Sequence, residues 1–287
     1  MTTVGFVGLG NIGRPMALRL AASELTTRVH DLAPEPVAEL VAAGATAAGS
    51  VAELAADCDV VCVMVRDDDQ VRDVLGAVLG VAGDRQTVVI HSTVAPDTPA
   101  ELADTAGRHG VRLLDAPVSG GPMGAAEGSL AILVGGSDDA FAAARPALEV
   151  MGSKVVHAGP IGSGTRLKLA RNLMHFVAFT AATEAQRLAE AAGLDLRVLG
   201  DVVRHTDAVT GGPGAIMHRE TTAPLAEDDF WYGVLDHVRA LGEKDLAYAT
   251  RLADQLGVDT PLARLALDRL GPGLGLPATT SEERTDG

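Results

Sequence analysis

The chain has 287 residues, 47% of them hydrophobic, which is too long for one small domain and enough to bury two cores. Its 38 acidic and 23 basic residues leave a formal net charge of −15, a balance that repels polyanions and argues against a nucleic-acid partner. No apolar run reaches the ~18–20 residues that cross a bilayer, and the strand-like VGFVG at 4–8 leaves no room for a secretory leader, so no membrane association and a cytoplasmic location are expected.

Short apolar runs at 4–8 (VGFVG), 27–31 (TRVHD), 60–65 (VVCVMV), 87–92 (TVVIHS), 112–116 (RLLDA), 131–135 (AILVG) and 154–158 (KVVHA) read as strands. Most are separated by a segment able to form one helix, and this alternation predicts an α/β fold: a Rossmann-type, doubly wound, mainly parallel sheet with helices on both faces. Cys58 and Cys62 stand four apart in a β-rich run, which predicts two buried structural thiols on one face. No second Cys/His pair has zinc-like spacing, and no metal site is expected.

The pattern changes after Gly164. Apolar residues recur at Leu167, Ala170, Leu173, Val177, Ala181, Ala185, Leu188 and Ala192, helical spacing that predicts a helix over about 163–192, ~45 Å long. Its middle, LMHFVAFTAA, is apolar nearly all round, which predicts burial on several sides and helical domains packed together in a homodimer or homotetramer. Further helices are expected at 198–205, 234–256 and 261–270. The division that follows is a dinucleotide-binding domain at 1–162, an all-α substrate and oligomerisation domain at 163–274 entered by the long interdomain helix, and a flexible tail at 275–287.

The loop Gly8-Leu9-Gly10-Asn11-Ile12-Gly13 is a G-x-G-x-x-G between a strand and a helix-period run, the context in which that pattern binds a dinucleotide. The first glycine permits the tight turn, the second lets backbone approach a pyrophosphate, and the third lets helix pack on strand. The free amides and dipole of the following helix favour the phosphate charge. Asp31 ends the second strand run, where an acid accepts hydrogen bonds from both adenosine ribose hydroxyls and repels a 2′-phosphate. NAD is therefore expected over NADP. Met64 and Val65, closing the 60–65 run, are assigned to the same cofactor pocket.

Two later clusters can carry chemistry. Ser119-Gly120-Gly121 follows a strand and exposes consecutive amides with a hydroxyl, a nest suited to a carboxylate or an ordinary glycine-rich turn. Lys168 and Asn172 lie four apart, on one helix face. In a partly desolvated pocket a lysine pKa falls, which suits it to act as a general acid or base.

With GFVGLGNIGRPMA, HSTVAP at 91–96, DAPVSGG, GSGTRLKLARN and EKDLA at 243–247, the chain resembles the β-hydroxyacid dehydrogenases from 4 to about 270. This is the group of 3-hydroxyisobutyrate dehydrogenase, tartronate semialdehyde reductase and, more distantly, 6-phosphogluconate dehydrogenase. The resemblance implies NAD-dependent oxidation of a small anionic 3-hydroxy acid to its semialdehyde, or the reverse. It makes Lys168 the catalytic acid/base and Asn172 its partner in orienting substrate, with Ser119, Gly120 and Gly121 holding the carboxylate. Thr93 falls near nicotinamide and substrate, and Lys244 and Asp245 close the site. Arg171 stands where many relatives have a first asparagine. His175 replaces the acid of the decarboxylating relatives, which implies simple oxidation, and His237 replaces an aromatic. These two histidines suggest a pocket suited to an extra hydroxyl or carboxylate, or are ordinary helix residues. Alternatives on the scaffold are a glyoxylate or succinic semialdehyde reductase, an imine reductase, or a non-catalytic dinucleotide-binding module. The lysine counts against the last two.

Overall fold

Every strand expected from the apolar runs forms, with ends moved by at most two residues. The computed structural model describes residues 2–83 and 86–278, and the chain divides into two compact units, Met1–Arg171 and Asn172–Gly287. The first unit runs β1 (Thr3–Val7), α1 (Gly13–Ala21), β2 (Thr26–His30), α2 (Pro34–Ala42), β3 (Thr46–Ala47), α3 (Val51–Ala56), β4 (Val60–Val63), α4 (Asp68–Leu79), β5 (Thr87–Ile90) and α5 (Thr98–Gly107). It continues through β6 (Arg112–Asp115), β7 (Val118–Ser119), α6 (Gly121–Glu127), β8 (Ala131–Gly135), α7 (Asp138–Met151) and β9 (Lys154–Gly159) into the start of α8 (Ser163–Ala191).

Strand order is β3-β2-β1-β4-β5-β6-β8-β7, with β9 paired to β8. The pairings from β3 to β6 are all parallel; β8 runs antiparallel to β6 and β7 and parallel to β9. The reading missed β3 and β7 because two residues make no run.

Side chains alternate across each strand, so the near-continuous apolar runs feed two cores. Phe6, Cys62, Val89 and Leu114 join Met16 and Leu20 of α1 and Leu148 of α7 in one. Val7, Val61, Val63, Val88, Ile90 and Leu113 join Leu54 of α3 and Val71 and Leu75 of α4 in the other. Each fully buried Val, Leu, Ile or Phe contributes roughly 1.5–3 kcal/mol. The cysteines correct an expectation: Cys62 lies in the first core and Cys58 in the second. Cys58 precedes β4, so the two-residue period does not reach it. Both are free thiols, and burial pushes Cys58 up to about 12 and Cys62 up as well, which leaves them inert.

The second unit takes up α8 and adds α9 (Leu196–Thr210), α10 (Phe230–Leu256) and α11 (Pro261–Gly273). Capping side chains start two helices before the expected limits, since Asp195 before α9 and Asp229 before α10 each accept a backbone N–H, and α9 and α11 also run past their expected ends. Buried Glu184 of α8 accepts N–H bonds from Leu262 (2.8 Å) and Ala263 (2.9 Å), capping the start of α11. Leu235, Leu274 and Leu276 form a small core with Trp231 and Tyr232. The expected tail thus begins with packed residues, and its part beyond Ala278 lies outside the described residues. The middle of α8 departs from the expected burial, because Leu173 (71% exposed), Phe176, Val177 and Phe179 are open in the single chain. Among the described residues no helix is long and apolar enough to cross a membrane.

Candidate active site

Where β1 ends, Gly8 turns the chain at φ +94°, and a side chain there would run into the Met64 carbonyl. A Cβ at Gly13 would run into the Gly8 carbonyl, so α1 can sit this close to β1 only with glycine. Gly10 has no neighbour within 4 Å of a Cβ position, which leaves its face open to a ligand. The start of α1 has no side-chain cap and keeps its amides for an anion. Asp31 accepts the N–H of Leu9 (2.6 Å) on one carboxylate oxygen and that of Ala33 (2.8 Å) on the other, tying the glycine loop to the end of β2.

The result is a cleft of about 620 Å³ lined by Gly8, Gly10, Asn11, Ile12, Gly13, Asp31, Met64 and Val65. It is also lined by His30, Leu32, Arg66 and Gln70, which sequence reasoning missed. They reach the cleft through the adjacency of β1, β2 and β4, which no local pattern reveals. An open glycine face, uncapped helix amides and a carboxylate in one cleft fit a nicotinamide dinucleotide. Ser92 braces the far wall: its hydroxyl donates to the Val65 carbonyl (2.8 Å) and accepts the Val65 N–H (2.9 Å). Thr93, next to it, is exposed.

His91, at the end of β5, donates from Nδ1 to the Ala116 carbonyl (2.8 Å) and stacks on Phe6 with ring centroids 6.2 Å apart. Burial holds its pKa down at about 4 against an ordinary 6.5. The folded protein keeps this ring neutral while the unfolded chain takes up a proton below 6.5, so stability falls as pH drops from 6.5 through 4. The expected loss is roughly 3 kcal/mol, at 1.36 kcal/mol per pH unit. Urea unfolding across that range should show a shallower fall in His91→Phe; an equal fall would rule the histidine out as its source.

At the end of β6, Asp115 is buried, and its carboxylate accepts the N–H of Gly162 (2.7 Å) and of Thr165 (2.6 Å) at the start of α8. One and a half turns on, Lys168 is 9% exposed and donates from Nζ to the Val118 carbonyl at 2.5 Å. Burial lowers its pKa from the ordinary 10.5, and the nearby Arg171 guanidinium lowers it further. Val118 leads directly into Ser119, Gly120 (φ +133°) and Gly121 (φ +65°), so the lysine and the Ser-Gly-Gly strip meet at one strand end. A Cβ at Gly121 would meet nothing within 4 Å.

Asn172 follows Lys168 by four residues on α8. In the second unit, half-buried His175 packs against Phe179 (4.3 Å between centroids) and Phe176 (5.4 Å). His237 is exposed on α10, where Lys244 and Asp245 are exposed too and pair with each other at 3.3 Å. In the same unit His218 stacks on Trp231 at 5.4 Å.

Two family models divide the chain. The model of the NAD-binding domain of 6-phosphogluconate dehydrogenase matches residues 3–159, and that of the NAD-binding region of NADP-dependent 3-hydroxyisobutyrate dehydrogenase matches 162–270. The 3-hydroxyisobutyrate dehydrogenase of Pseudomonas aeruginosa is 35% identical over 93% of this chain and 90% of its own. The NAD-dependent L-serine dehydrogenase of the same organism is 34% identical over 93% and 90%. A crystal structure of an oxidoreductase from Mycobacterium avium 104 superposes with a TM-score of 0.93 at 48% identity, over 96% of this chain and 99% of that one. The chain belongs to the β-hydroxyacid dehydrogenase family: a dehydrogenase acting on CH–OH, built on a Rossmann-type fold with a nicotinamide-dinucleotide-binding domain.

Proposed function

We propose that the protein oxidises a small 3-hydroxy acid, 3-hydroxyisobutyrate or a close analogue such as serine, to its semialdehyde with NAD, or catalyses the reverse reduction. The observation that carries this reading is Lys168, buried with its ammonium on the Val118 carbonyl one residue before the Ser119-Gly120-Gly121 strip. The substrate carboxylate docks on Ser119 and the amides of Gly120 and Gly121. Lys168 takes the hydroxyl proton in oxidation and returns it in reduction, and Asn172 orients the reacting oxygen. A bound dinucleotide supplies the hydride acceptor. Positioning and proton movement are the work of the protein. Asp31 at the cleft favours NAD, because a second phosphate would face its carboxylate. Thr93, Lys244 and Asp245 complete the cofactor and substrate contacts, and His175 and His237 tune the substrate.

The exposed apolar face of α8, with Val198 and Val202 of α9, supports a homodimer or homotetramer, since a solitary chain rarely leaves such side chains open. The test is absorbance at the NADH band with 3-hydroxyisobutyrate, glycerate, serine and 4-hydroxybutyrate, each with NAD and NADP. NAD-linked turnover of a 3-hydroxy acid is expected. Turnover confined to 4-hydroxybutyrate would instead favour a semialdehyde reductase of different chain length, and none beside clear NADH binding would leave a binding module.

A further inference from the structure

Most helices of this chain that carry an N-terminal cap take it from their own flanking residue, as Ser50, Asp67 and Ser137 do for α3, α4 and α7. The start of α8 does not. Gly162 before it has no side chain and takes φ +86°. The cap comes instead from another element, the Asp115 carboxylate at the end of β6, bonded to the N–H of Gly162 and of Thr165. The fit is tight on every side. A Cβ at Gly135 of β8 would run into the Asp115 carboxylate itself and stand 2.8 Å from the Ser163 nitrogen and 2.9 Å from that of Gly164, and one at Gly164 would stand 2.7 Å from the Asp115 carbonyl oxygen. Helix start, β6 and β8 therefore interlock closely, with the buried Asp115 carboxylate joining them and the Ser163 hydroxyl and buried Thr165 beside it.

Resting on the reading of Lys168 as the acid/base, we propose that Asp115 is a positioning residue for it: by capping α8 across the joint it fixes the phase and depth of the helix, and so brings the Lys168 ammonium to the Val118 carbonyl beside the Ser-Gly-Gly strip. Lys168 lies three residues beyond Thr165, less than one turn past the capped amide, so loosening the cap displaces the ammonium directly. Arg166 lies beside Gly162 and Arg171 acts on Lys168 from the same helix; His91, bonded to the carbonyl of Ala116 beside Asp115, stays neutral. The carboxylate spends its charge on helix amides, where the dipole favours it, and burial is the larger cause of the lowered Lys168 pKa.

Two mechanisms then predict opposite signs for Asp115→Asn. If Asp115 acted only as a nearby negative charge, its removal would make Lys168 easier to deprotonate. If it positions the helix, a loosened start lets water reach the ammonium, and Lys168 becomes harder to deprotonate. The experiment is the pH dependence of acetic anhydride labelling of Lys168, followed by mass spectrometry, which needs no turnover. In Asp115→Asn the labelling midpoint should rise by roughly one on the pH scale, the size of an ordinary environmental shift. Gly135→Ala, which keeps the Asp115 charge but pushes its carboxylate off the helix amides, should raise it too. NADH binding at the Gly8–Asp31 cleft serves as the folding control, and with substrate kcat should fall roughly tenfold to a hundredfold at little cost in KM. A midpoint that stays or falls in both variants overturns the proposal, as does loss of NADH binding in both, which would make the joint a fold determinant only. A wild-type protein that turns over no hydroxy acid, beside a midpoint that rises, would instead condemn the proposed reaction and leave the positioning role standing.

Discussion

Lys168→Ala is expected to lower kcat about 10³-fold, the middle of the range for a positioned general acid or base and about 4 kcal/mol of barrier. Dinucleotide affinity should hold within about twofold, because Lys168 is not among the residues lining the Gly8–Asp31 cleft. The pH profile carries the sharper information. To accept the hydroxyl proton in oxidation the amine must be neutral, so the rate should climb with pH through a pKa below 10.5, the direction set by burial and Arg171. Reduction needs the ammonium and should decline through the same value. The alanine variant should lose both limbs. Lys168→Arg should be inactive in oxidation as well, since a guanidinium stays protonated throughout. A variant that keeps turnover with an unchanged profile would remove Lys168 from the chemistry and send the proton to another group.

Gly10→Ala should separate cofactor binding from folding. A methyl there meets no atom within 4 Å, and Gly10 is not at positive φ, so thermal stability should change by less than about 0.5 kcal/mol. The same methyl occupies the space through which loop backbone approaches a pyrophosphate. NADH affinity should therefore fall about a hundredfold, close to 2.7 kcal/mol. Gly13→Ala provides the contrast, since its methyl would run into the Gly8 carbonyl and should cost stability as well as affinity. Titration of NADH fluorescence beside a melting curve distinguishes the two. Undiminished affinity in Gly10→Ala would mean that the pyrophosphate does not lie over that face of the loop.

The strands were legible because both faces of the sheet are buried, and each therefore writes an apolar run into the chain. The glycine loop was legible because Gly8 and Gly13 have no room for a side chain and stand at the fixed spacing of the fingerprint. The two-residue β3 and β7 were not, and neither were Arg66 and Gln70, which meet the cleft only because β4 lies beside β1. Cys58 and Cys62 show the limit of periodicity: Cys58 stands two residues before β4, and the two thiols fall into different cores. Lys168 was recognisable as a residue, but its carbonyl partner on Val118 and the Asp115 cap are 50 positions away or nearly so, and no local pattern encodes such a pairing. The middle of α8 is apolar nearly all round, as its composition says, but composition does not say what covers it, and Leu173, Phe176, Val177 and Phe179 are exposed in the single chain.

Glu184 lends helix α11 its first turn from 78 residues upstream. A helix of 13 residues is marginal alone, and α11 has no side chain of its own to cap it. It therefore cannot consolidate until α8 has formed and the chain between them has closed on itself. Native-state hydrogen exchange would register this as shared opening: the amides of Leu262 and Ala263 belong kinetically to α8, and the last helix of the chain is stable only as part of the same cooperative block.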